Sequence, residues 1–150
     1  MKGSDDITGK GEIQIEPIGQ IKNDFTEEVP EDYKDKESVI EIFEGYKEGL
    51  LGIGEHSHIT VLMWFHKGDR SIKQVHPMAD EDNPLTGVFA TRSPVRPNPV
   101  AVSVCRLVER KGDELLVKGL DALDGTPVID IKSYSPYDIS DPEYPDWIPR

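Results

Sequence analysis

Apolar and polar positions alternate along most of this chain with a period near two. The clearest case is Val100, Val102 and Val104, where every second residue is a valine, and that spacing predicts a strand over 100–108. Ile72–His76, Leu85–Thr91, Leu115–Leu120 and Val128–Tyr134 read the same way. The run His58–His66, HITVLMWFH, is apolar throughout and rich in strand formers; it predicts a central strand buried on both faces. Glu12–Asn23 alternates at Ile13 and Ile15, breaks at Pro17 and resumes at Ile18 and Ile21, which predicts a strand with the proline at an edge or a bulge. Residues 24–37 are acidic and read as a loop. Residues 38–51 fit a helical face as well as a strand, and we assign a strand over 38–43 followed by a short helical turn.

Turn signals separate these runs at Lys67-Gly68-Asp69, Asp82-Asn83-Pro84, Lys111-Gly112-Asp113 and Asp124-Gly125. Short strands at this spacing predict a mainly β fold, an antiparallel barrel or sandwich. At 150 residues the chain has room for one core. The division expected is a loose N-terminus over 1–11, a β domain over 12–136 and a tail over 137–150. Four prolines after residue 135 keep the tail out of any central strand, and its aromatics are expected to pin it to the barrel or to a partner.

Two turns differ from the rest. Arg92-Ser93-Pro94-Val95-Arg96-Pro97-Asn98-Pro99 holds three prolines, which fix φ and stiffen the residues before them. Leu123-Asp124-Gly125-Thr126-Pro127 is the other. A stiff loop with two arginines suits bidentate capture of a carboxylate or phosphate.

Charge modifies this picture. The formal net charge is −12, which argues against a general nucleic-acid binder. Its distribution is uneven. Residues 1–57 carry 6 basic and 15 acidic side chains, residues 58–110 carry 7 and 5, and residues 111–150 carry 4 and 9. The middle third is therefore net positive, a place for a polyanion to dock. No apolar run reaches membrane-spanning length. The first residues, MKGSDDITGKGE, lack the apolar stretch of a signal peptide. A lone Cys105 has no disulfide partner. These features lead us to expect a cytoplasmic protein.

Other chemistry is thin. His56, His58, His66 and His76 come with no cysteine pair or HExxH pattern, so no metal site is expected. Cys105 has no activating base nearby in sequence and reads as a buried apolar residue. Asp121, Asp124 and Asp130 fit a carboxylate cluster for magnesium or for acid/base work, with turn chemistry as the plainer account of Asp124. No GxGxxG or GxxxxGK[ST] is present, which leaves a Rossmann or P-loop site unsupported.

Taken together, GVFATRSPVRPNP over 87–99 and LDGTPVIDIK over 123–132 resemble the TsaA-like family. Pro17-Ile18-Gly19, Gly49-Leu50, Ser57-His58-Ile59 and Trp64-Phe65-His66 are similar to its earlier blocks in the same order, so the resemblance covers roughly 13–136. It implies S-adenosylmethionine-dependent methyltransferases acting on tRNA N6-threonylcarbamoyladenosine. It also implies a single-sheet antiparallel β-barrel that dimerises and binds the cofactor beside the subunit interface. Carried onto this sequence, the cofactor contacts implied are His66 and Lys67, Arg92 and Val102, and Ala122, Leu123, Asp124 and Gly125. The family's Pro-Arg-Gln segment is replaced here by Pro30-Glu31-Asp32. The tail resembles the shorter, archaeal-type members.

For the chemistry we expect Asn98 to accept a hydrogen bond from the reacting N–H, and Asp130, or secondarily Asp124, to act as base. Arg96 and Lys132 are expected to hold the substrate's carboxylate or a phosphate. Affinity for tRNA is expected to be weak and salt-dependent. The competing readings are a methyltransferase for a small molecule and a non-catalytic cofactor-sensing module.

Overall fold

The computed structural model describes residues 11–149. The expectation of a loose segment over 1–11 falls almost wholly outside them. Among them eight strands form: β1 (Gly19–Lys22), β2 (Glu37–Ile42), β3 (His58–Trp64), β4 (Gln74–Val75), β5 (Thr86–Gly87), β6 (Val100–Lys111), β7 (Glu114–Lys118) and β8 (Pro127–Ser133). Six of them close into an antiparallel barrel in the order β1-β2-β7-β6-β3-β8, and β4 pairs with β5 in a small separate ribbon. Closure leaves the main sheet without a free edge. The barrel form of the two expected architectures is the one adopted.

Period two decides what goes inside. On β3, Ile59, Val61 and Met63 are fully buried. Thr60, Leu62 and Trp64 point outward and are only half-buried. The continuous apolar run therefore does not mean burial on both faces, because one face of a barrel strand has no layer above it. On β7, Leu115 and Val117 point in; β1 and β2 contribute Ile21, Ile40 and Ile42, and β8 contributes Val128. Each such side chain contributes about 1.5–3 kcal/mol when withdrawn from water.

β6 reverses the simple expectation. Its inward residues are Ser103, Cys105 and Leu107, while Val100, Val102, Val104 and Val108 lie outside at 39–47% exposure. The alternation that announced the strand marks its outer face. Cys105 is buried, and burial pushes its thiol up to about 12.

The first strand is shorter than expected. Ile18 donates its N–H to the Val128 carbonyl at 2.8 Å and accepts from Phe43 at 2.8 Å. Among the described residues none before Pro17 is in a strand, and Ile13 and Ile15 are exposed. The assignment of 38–51 holds: β2 is followed by a 3-10 turn over Lys47–Leu50. Residues 85–91 give the two-residue β5 and then a 3-10 turn, Val88–Ala90, that leads into the proline-rich loop. In the tail Tyr137 is 93% exposed, so that ring is not packed on the barrel. No helix among the described residues is long and apolar enough to cross a membrane.

Candidate active site

At the end of the barrel where β3 stops, the chain makes the turn Phe65–Gly68 beneath the proline-rich loop. Contact there is close. A Cβ on Gly68 would sit 2.7 Å from the Pro94 carbonyl oxygen, so glycine is required for the loop to settle on the turn. Pro99 is buried, and its carbonyl accepts from Phe65 N–H at 2.8 Å.

The loop is braced from within by Arg96. Its Nη1 donates to the Thr91 and Ser93 carbonyls, both at 3.1 Å, and its Nη2 to the Val88 carbonyl at 3.0 Å. Three of its five N–H donors are thus committed to backbone. Arg96 shapes the loop that presents Arg92, with two of its own N–H donors left over. Arg92 itself is exposed and makes no hydrogen bond or ion pair among the described residues.

A second brace was not legible from sequence. Arg70 Nε donates to the Pro97 carbonyl at 2.7 Å and its Nη2 to Asn98 Oδ1 at 3.0 Å. The same guanidinium lies 5.3 Å from the centre of the Trp64 ring, a cation–π contact. Asn98 Oδ1 thus already accepts one hydrogen bond, and its Nδ2 hydrogens have no partner among the described residues.

The bend at 123–126 is fixed from β1. Asn23 N–H donates to Asp124 Oδ1 at 3.0 Å, and Asn23 Nδ2 to the Ala122 carbonyl at 2.9 Å. Asp124 and Gly125 donate their N–H groups to the carbonyls of Phe25 and Ile21. Gly125 has φ +81, the left-handed geometry that glycine supplies most easily. The N–H groups of Ala122 and Leu123 have no partner among the described residues.

These two bends meet. They enclose a cavity of about 430 Å³ with Phe65, Pro94, Val95 and Leu123 in its walls, His66 and Lys67 on one side and Glu27 and Glu28 on the other. Five of the eight residues expected to touch a cofactor line it: His66, Lys67, Ala122, Leu123 and Asp124. Arg92 and Val102 line the next depression, of about 480 Å³, together with Asn98 and Arg96. Gly125 lies on the outer side of its bend. A third depression of about 460 Å³ runs along the outside of β6, where Lys34, Arg92, Arg106 and Lys118 contribute four cations without ion-pair partners among the described residues. The departure at Pro30-Glu31-Asp32 directly follows Val29, a wall residue of the first cavity.

Asp130 and Lys132 are not brought into this group. They form an ion pair with each other at 3.3 Å, and Asp130 Oδ1 also accepts from Ile131 N–H. Both line a depression toward the opposite end of the barrel, with Tyr46, Leu50, Ile53 and His56. Strand register puts Asp130 beside Leu62 and Leu62 beside Val102 on the outer surface, two strand spacings or about 10 Å apart. The four histidines are dispersed, and no group of three or more metal-ligating side chains forms among the described residues.

A closed antiparallel barrel carrying an arginine loop against an Asp-Gly bend defines a class, and the comparisons identify it. Residues 22–139 match the model of the tRNA-methyltransferase O N-terminal domain. A probable S-adenosyl-L-methionine-binding protein of Pyrococcus abyssi is 45% identical over 131 residues, 83% of this chain and 69% of that protein. A tRNA (adenine(37)-N6)-methyltransferase of Mus musculus is 33% identical over 134 residues, 83% of this chain and 31% of that protein. Among solved structures, TrmO from Pseudomonas aeruginosa superposes with a TM-score of 0.74 at 32% identity, covering 93% of this chain and 64% of that one. The chain belongs to the tRNA-methyltransferase O family. It spans under two thirds of the length of the solved relative and about a third of the mouse protein.

Proposed function

We propose that this protein binds S-adenosylmethionine in the cavity between the arginine loop and the Asp-Gly bend and transfers its methyl group to tRNA, at N6 of threonylcarbamoyladenosine. The observation that carries this reading is the meeting of those two bends around an apolar-walled cavity beside an unpartnered Arg92. The cavity fits the cofactor in kind. Phe65, Val95 and Leu123 suit a flat heterocycle, the free Ala122 and Leu123 amides offer donors, and Glu27 and Glu28 suit a cationic group. The cofactor supplies an activated methyl on a sulfonium, so the protein's task is position and proton handling.

Arg92 is suited to a carboxylate of cofactor or substrate. Asn98, with its oxygen held by Arg70, presents N–H donors that polarise a carbonyl of the acceptor. The unpaired cations Lys34, Arg106 and Lys118 give a polyanion a foothold on a chain that is acidic overall. Val102 and Val104 line the same trough and Val100 and Val108 are exposed on the same strand, and we propose that a second copy packs beside the trough and completes the site. A valine face of this kind on a highly charged chain is suited to self-association.

The test is transfer of labelled methyl to bulk tRNA followed by nucleoside analysis. Label in the methylated threonylcarbamoyl nucleoside is the expected result. Label only in small-molecule acceptors, or cofactor binding without transfer, favours one of the two competing readings.

A further inference from the structure

We propose that Asp121 is the catalytic base, taking the proton of the acceptor nitrogen during methyl transfer. This role rests on the methyltransferase reading above and adds a group which that reading lacks.

The three aspartates Asp121, Asp124 and Asp130 are alike in sequence and unlike in place. Asp124 gives Oδ1 to the Asn23 amide and holds a bend. Asp130 is paired with Lys132 and bonded to Ile131 N–H. The Asp121 carboxylate has no hydrogen bond and no ion pair among the described residues; only its backbone N–H is engaged, by Ser103 Oγ at 3.3 Å. It also lines the cofactor-type cavity, the depression beneath Asn98 and the cationic trough. Phe65, Arg92 and Val102 each line two of these, and His66 lines only the first. Asp121 thus stands where a donor in the first cavity and an acceptor coming from the trough would meet.

Its surroundings make it a better base than a free carboxylate. Water reaches the group, but the concave site removes part of its hydration, and this desolvation raises its pKa above the ordinary aspartate value. The bookkeeping of the step is simple. The nitrogen lone pair forms the N–C bond as the C–S bond breaks, and that electron pair stays on sulfur. The N–H proton passes to the Asp121 carboxylate, leaving a neutral methylated nitrogen and a carboxylic acid that later returns its proton to water.

Asp121→Asn and Asp121→Glu, made in the full chain, test this. The Asn variant should transfer methyl to tRNA about 10²–10⁴-fold more slowly, the range of general-base catalysis. Its S-adenosylmethionine affinity by calorimetry and its KM for tRNA should be unchanged, and the Glu variant should recover part of the rate. Melting of the Asn variant should be no lower than wild type. A folded-state pKa raised above the unfolded one means that the ionised group costs stability at neutral pH, and that cost disappears as pH falls through the folded pKa. Asn-variant turnover at the wild-type rate overturns the proposal, as does a loss of cofactor affinity matching the loss of rate. If the wild type itself transfers no methyl to tRNA, the methyltransferase reading falls first and takes this role with it.

Discussion

The two ends of the barrel use the same kinds of side chain to opposite effect. Around the depression that Tyr46, Leu50 and Asp130 line, several polar groups satisfy one another. Lys47 reaches both Glu44 and Asp113, Tyr46 donates to Glu16, Arg110 caps the Leu50 and Gly112 carbonyls, and Lys132 pairs with Asp130. Beyond the end of β3, Arg92 and Asp121 are left without ion-pair partners among the described residues, and so are Lys34, Arg106 and Lys118 in the trough that runs along β6 to the level of His58. The groups spent there, Arg70, Arg96 and Asn23, are spent on backbone and on Asn98, to hold the unspent ones in place. Unmatched charge is costly to hold in a concave site. At Arg92 and Asp121 it stands beside the cavity between the two bends, where a ligand would match it.

This contrast can be broken by substitution. The largest effect expected, apart from Asp121, is at Asn98: Asn98→Ala should lower methyl transfer about 10²-fold, the cost of a lost polarising donor, with cofactor affinity preserved in calorimetry. Arg92→Ala should weaken a carboxylate-bearing ligand by about 10- to 100-fold, as loss of a charged hydrogen bond does; equal affinity in titration removes Arg92 from the site. Asn23→Ala removes the Nδ2 bond to the Ala122 carbonyl together with the side-chain bonds to Ser38 and the Phe25 N–H, and should cost about 1–3 kcal/mol in chemical denaturation. Its effect on cofactor binding should exceed that of any substitution at the satisfied end. Cys105, with its thiol pushed up to about 12 by burial, should resist iodoacetamide at pH 8 until the chain is unfolded. Lys132→Ala is the control, and it should leave cofactor affinity, turnover and melting where they were.

Much of the architecture was legible because period two survives in nearly every barrel strand. The positions of β6, β7 and β8 followed from apolar spacing and turn residues, and that of β3 from its continuous apolar run. Which face turned inward did not follow on β6, since valine satisfies either side and only closure of the barrel decides. The two bends were visible as Pro-rich and Asp-Gly runs, and the resemblance at 87–99 and 123–132 named the cavity they form. The braces were hidden. Arg70 reaches Asn98 across 28 positions and Asn23 reaches Ala122 across 99, distances over which one sequence carries no pairing signal. The choice among Asp121, Asp124 and Asp130 was hidden for the same reason, because partners elsewhere in the chain decide which carboxylate stays free.

The most direct test is an NMR titration of the full chain with S-adenosylmethionine, following backbone amides. Shifts concentrated at Phe65, Lys67, Arg92, Ala122 and Leu123 are the predicted result. Shifts concentrated at Tyr46, Ile53 and Lys132, in the depression at the satisfied end, would contradict the account.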